Sequence, residues 1–139
     1  MYKRQLHAPG HTPDSLALWL ALERRLFVGD TVYRWCPIIV ANDHSSIGDF
    51  AASIRRLASF VRAADAGAPV AATMSCGHNS ESIPALEALD EVAALVDEAM
   101  TLPISSQYER GVFSLTVRPE DLEACRDRAA GTGQADPEP

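Results

Sequence analysis

Three short segments set a glycine before a side chain able to hold a metal ion: Gly10-His11, Gly29-Asp30 and Gly77-His78. Glycine lets the backbone turn sharply and come close to an ion. A loop at the rim of a rigid scaffold then holds the side chain in one direction. Two imidazoles and a carboxylate suit zinc, iron or manganese. Singly, each segment reads as an ordinary turn, since Gly-His is common in loops and Gly-Asp-Thr is a frequent turn or helix cap. His7 stands four residues before His11, the spacing of a helical metal pair, but Pro9 and Gly10 between them break any helix. It therefore reads as structural, and His44, beside Asp43 in a polar loop, as solvated. Cys76 reads as a small buried hydrophobe. Ser75, Ser80 and Ser82 have no acid–base partner that would make one of them a nucleophile.

The elements that must position these residues follow from hydrophobic period and turn residues. Leu6 to Ser15, with two prolines and a glycine, is a loop. Leu16 to Leu22 and Leu26 to Val28 flank the polar turn Glu23-Arg24-Arg25, which reads best as a β-hairpin. Thr31 to Asp43 has little periodicity and reads as a loop with some buried side chains. Phe50, Ile54, Leu57, Phe60 and Val61 recur at helical spacing, with Ser45 or Ser46 as cap and Gly67 as stop. Pro69 to Met74 reads as a buried strand, and Ser75 to Ser80 as a turn. Ser82 to Met100 is an amphipathic helix, Gly111 to Val117 a strand, and Pro119 to Arg128 a short helix with proline in its first turn. The order is strand–strand–helix–strand–helix–strand–helix, an α/β layered pattern.

In this order the three loops resemble the metallo-β-lactamase superfamily. Pro9-Gly10-His11-Thr12-Pro13-Asp14-Ser15 is similar to that family's third metal-binding motif, and Leu26-Phe27-Val28-Gly29-Asp30-Thr31 to its fourth. Cys76-Gly77-His78 is similar to the fifth. The resemblance covers Leu6 to about His78 well, and the rest only as a helical and strand tail. It implies the C-terminal half of an αββα sandwich, with one mixed sheet and flanking helices. It also implies a two-zinc site, with iron or manganese as the other metals, in which His11 ligates the first metal, His78 the second, and Asp30 bridges them. Aspartate in the bridging motif points to the glyoxalase II, lactonase or thioesterase side of the family. Asp14 departs from the glycine common at its position. Tyr33 and Trp35 fall where the family often builds its substrate pocket, though core packing explains them equally well; no substrate-binding residue is assigned. The larger departure is the family's His-x-His-x-Asp-His cluster. The sequence has four histidines and no such cluster.

Residues 1–5, Met-Tyr-Lys-Arg-Gln, can be read from the end of a transposase adapter with GTG as start codon. The expectation is a non-native leader over 1–5, a partial domain over 6–130 and a disordered tail over 131–139. A net charge of -7 disfavours nucleic acid and anionic membrane as partners. No apolar run approaches the roughly 20 residues of a membrane span. Cys36, Cys76 and Cys125 are odd in number and widely spaced, so a reducing compartment, the cytoplasm, is the default. The resulting expectation is a metal-dependent hydrolase of a small-molecule ester, thioester or lactone, inactive as this chain alone. Two alternatives stay open: a non-catalytic module that self-associates through an exposed sheet face, and an iron-dependent oxidoreductase of the same fold.

Overall fold

The computed structural model describes residues 2–78 and 82–131. Its strands are β1 (Lys3–His7), β2 (Leu16–Leu20), β3 (Arg25–Phe27), β4 (Pro37–Val40), β5 (Thr73–Ser75), β6 (Ile83–Pro84), β7 (Gln107–Arg110) and β8 (Phe113–Val117). Its helices are α1 (Ile47–Asp65), α2 (Ala85–Thr101) and α3 (Pro119–Gly131). The mixed α/β class is as expected. The strands, however, form two mixed sheets, ordered β1-β2-β3-β5-β6 and β4-β8-β7, in place of a single one. The second sheet exists because Pro37–Val40, inside the stretch read as loop, pairs in parallel with β8 from Pro37↔Ser114 to Val40↔Val117.

The expected hairpin is present, with Leu18 opposite Phe27 and Leu20 opposite Arg25. Ahead of it, Lys3 to His7 pair antiparallel with β2, so residues 3–5 lie along the edge of the sheet. The strand expected over Pro69 to Met74 is confined to Thr73–Ser75, and Pro69 and Val70 are exposed. The helix expected from Ser82 starts at Ala85, because Ile83 and Pro84 pair with β5 first. Gly131 closes α3, and residues 132–139 of the expected tail lie outside the described residues, as do 79–81 of the expected turn.

Helix α1 begins as its sequence suggests. The Ser46 hydroxyl accepts the Asp49 N–H, satisfying one of the free donors of the first turn. Its buried stripe is Ile47, Phe50, Ile54, Leu57 and Val61. Helix α2 buries Leu89, Val92, Leu95 and Val96 along one face, together with Ala85, Ala88 and Ala99, packing on α1 and on both sheets. Arg126 of α3 donates to the carbonyls of Ala99 and Leu102, which the end of α2 leaves without helical partners. The core is continuous from Trp19, Leu26 and Met74 of the first sheet to Ile38, Leu115 and Val117 of the second.

Candidate metal-site region at the sheet edge

Strand register brings the three loops to one end of the first sheet. Strands β3 and β5 run parallel with Phe27 opposite Ser75. Continuing that register three residues sets Asp30 opposite His78, far apart though they are in the chain. The Val28 N–H donates to Ser75 O at 3.1 Å and the Gly77 N–H to Gly29 O at 2.7 Å, so the two loops stay zipped past the strand ends. Strand β2 is antiparallel to β3, and its start, Leu16, stands at this same end. The β1–β2 connection that carries His11 therefore emerges there too.

Asp30 and His78 meet: Nε2 of His78 lies 3.4 Å from Oδ1 of Asp30, and the His78 and Asp30 side chains are about half exposed, at 56% and 52%. His78 adopts the left-handed conformation, φ 63°, which histidine tolerates better than most residues. Its ring packs edge-on against Tyr33, 4.7 Å between centroids. Tyr33 is buried, and burial pushes its phenol up; a hydrogen bond with the Ile39 backbone acts against this and the Asp30 charge adds to it.

His11 is held differently. Its Nδ1 lies 2.6 Å from Ile39 O. A carbonyl only accepts, so Nδ1 carries a proton, which leaves Nε2 as the ring nitrogen that could hold a metal. Metal-binding histidines are commonly oriented by such a bond. The loop beneath is tied to α1: Ser46 N–H donates to Gly10 O, and the Ser45 and Ser53 hydroxyls donate to His11 O and Pro9 O. Gly10 has φ 140°, and a Cβ there would stand 2.3 Å from the Phe50 Cα. Only glycine lets the loop lie this close to the helix. His7, as expected, is structural, with Nε2 2.7 Å from Pro13 O. His44 is exposed.

Ile39 thus contacts both His11 and Tyr33, and Tyr33 contacts His78. Sequence reading had no signal for Ile39, since it acts through its backbone. Trp35 proves exposed, at 65%, so core packing does not explain it. Cys76 is partly buried, and burial pushes its thiol up to about 12, against the Arg34 charge.

The donors suit a metal in kind. In arrangement they are incomplete: among the described residues, no three His, Cys, Asp or Glu side chains stand close enough to hold one ion.

Residues 3–100 match the family model for the metallo-beta-lactamase superfamily. The chain belongs to that superfamily. Among solved structures, it is similar to a metallo-beta-lactamase family protein from Thermus thermophilus, with TM-score 0.55 and 24% identity over 76% of this chain and 34% of that one. A metallo-beta-lactamase from Pontibacter korlensis gives TM-score 0.51 and 18% identity over 68% and 41%. A curated relative is an Aspergillus versicolor protein described as a candidate transcription factor, 28% identical over 134 residues, which are 88% of this chain and 38% of that protein. The chain thus spans between a third and a little over two fifths of these proteins' lengths. Metallo-β-lactamase-fold proteins include metal-dependent hydrolases, and the fold supports a hydrolase-type or related function. Among the described residues, no helix is long and apolar enough to cross a membrane.

Proposed function

We propose that this chain is part of a binuclear metal-dependent hydrolase acting on a small-molecule ester, thioester or lactone. The observation that carries the reading is the Asp30–His78 pair, 3.4 Å apart at the C-terminal ends of two parallel strands, where α/β sheets place their ligand sites. His11, Asp30 and His78 would hold the metal, zinc in the first instance. A bound metal of this kind lowers the pKa of its water and polarises the substrate oxygen. The residues' own part is orientation. The Ile39 carbonyl fixes the His11 tautomer, the Tyr33 ring backs His78, and Gly77 leaves room for the Asp30 carboxylate.

Three donors shared between two metals fall short of the three per ion that catalytic zinc usually needs. The chain alone is therefore expected to retain zinc weakly and sub-stoichiometrically after dialysis, with no measurable ester hydrolysis. Asp30→Ala and His78→Ala each remove the retained metal, measured by elemental analysis. Tight one-to-one zinc binding by the chain, or weak retention untouched by both substitutions, overturns the reading.

A second reading, self-association, is favoured by the outward face of the first sheet. Ala17 and Trp19 point into the core, so Leu16, Leu18 and Leu20 point out. Phe27 joins them opposite Leu18, and Leu16 and Phe27 are 51% and 36% exposed. Sedimentation velocity checks this: the chain sediments as a dimer or larger, and Leu18→Lys returns it to monomer. A monomer at all concentrations rules it out.

A further inference from the structure

Strand β1 is an edge of the first sheet, with β2 on one side and, among the described residues, no strand on the other. An antiparallel pair exchanges hydrogen bonds only at alternate residues. Ala21 N–H donates to Tyr2 O and Ala8 N–H to Ser15 O, so in this register residues 2, 4, 6 and 8 are the ones bonded to β2. The N–H and C=O groups of Lys3, Gln5 and His7 therefore point away from the sheet. Of these, His7 O accepts from Arg56 of α1 at 3.2 Å. The others form a row of edge donors and acceptors of the kind that templates a further strand.

Beside this edge runs a basic groove. Alternation turns Arg4 and Leu6 to the same side as their partners Trp19 and Ala17, toward α1. With His7, and with Arg56, Leu57 and Phe60 of α1, they line a groove of about 220 Å³. The Arg4 guanidinium lies 5.2 Å from the Phe60 centroid, and Phe60 packs edge-on against Trp19 at 5.5 Å. The ring thus keeps the Arg4 charge along the groove. No Asp or Glu lines it. Asp14, close enough to His7 to feel its charge, is held by the Thr12 hydroxyl. Among the described residues the arginine ion pairs engage Arg24, Arg55, Arg62, Arg110 and Arg118, and neither Arg4 nor Arg56. In a chain of net charge -7, this strip stands out by its sign.

We propose that the groove between β1 and α1 docks an extended acidic segment of a partner protein, which adds to the five-stranded sheet along β1. The segment's backbone pairs with the outward groups of Lys3, Gln5 and His7. Its Asp or Glu side chains, at every second position, meet Arg4 and Arg56 over the apolar floor of Leu6, Leu57 and Phe60. In this mode main-chain bonds supply affinity and alternate side chains supply selectivity. Charge decides the kind of partner. A second copy of β1, Lys-Arg-Gln-Leu-His, brings further cations to the strip and no carboxylate, and like charges across paired strands are unfavourable. The surface is independent of the hydrolase reading.

The full chain is titrated with a fluorescein-labelled hexapeptide of alternating Glu and Thr, followed by anisotropy. Saturable binding is expected that weakens with added salt and is absent for a Lys–Thr peptide of the same length. Arg4→Glu and Arg56→Glu each weaken it about tenfold, with circular dichroism like that of the parent. N-methylation of alternate amides in the peptide separates strand pairing from charge alone. Methylation in one phase abolishes binding and in the other leaves it, since a paired strand aims only alternate N–H groups at its neighbour. No saturable binding at millimolar peptide, methylation acting alike in both phases, or affinity unchanged in both arginine variants overturns the proposal. Tighter binding of a single-stranded oligonucleotide of equal charge overturns it too, by making the strip a general polyanion site. So does a dimer of the chain that the peptide dissociates, since the occupant is then a second copy.

Discussion

A Cβ at position 77 would stand 2.4 Å from Oδ1 of Asp30 and 3.0 Å from Gly29 O. The carboxylate has its place because that side chain is missing. Gly77→Ala is accordingly expected to push Asp30 away from His78 and to reduce zinc retention, while the far-ultraviolet circular dichroism stays that of the parent. The contact lies at an exposed loop rim and not in the core. Elsewhere in the His11 loop, the Thr12 hydroxyl donates to Asp14 and holds its carboxyl below the ordinary value of 3.8, with a backbone hydrogen bond adding to the effect. The sign follows from linkage. A carboxylate whose folded pKa is depressed stabilises the fold above its unfolded value and loses that contribution as pH falls through the folded one. Thr12→Val should move the Asp14 titration, followed by side-chain carbon NMR, toward higher pH. An unchanged titration would remove Thr12 as its cause.

At the level of elements, α1 is the clearest case of local determination. Its cap, its buried stripe and its length are written in residues 46 to 65, and the structure reproduces them. Ser46→Ala leaves a first-turn N–H without its partner and is expected to cost about 1 kcal/mol in urea denaturation. Strands β1, β4 and β7 were not legible. Lys3-Arg-Gln-Leu-His and Gln107-Tyr-Glu-Arg carry one buried or half-buried apolar residue each, too few for a two-residue period. Pro37-Ile-Ile-Val is short and begins with a residue rare in central strands. Each is a strand because another strand lies beside it. Conversely, Pro69 to Ala71 look like strand in apolar content but have no strand partner, and they remain exposed.

Across the whole molecule, the segment beyond the family match, from 101 onward, is built into the same core. Leu115 and Leu122 are fully buried, and β8 pairs with β4, which precedes α1. Leu115→Ala is therefore expected to cost about 3 kcal/mol and to lower one cooperative transition, seen together by tryptophan fluorescence and circular dichroism. Two separated transitions would show that the second sheet folds independently of the first.

The chain by itself singled out His11, Asp30 and His78 as candidate ligands, because glycine-led turns and the order of the three motifs are local features. It also determined the family and the main helices, through patterns spanning a few residues to a few turns. Only the tertiary structure decided that Asp30 and His78 touch while the His11 ring is turned onto Ile39, since that depends on the register of β3 against β5 and on a backbone carbonyl from a strand the sequence did not reveal. It alone also divided the strands into two sheets and left Trp35 at the surface. Pairing between distant strands is a choice among partners, and no single segment contains the information about the partner it will meet.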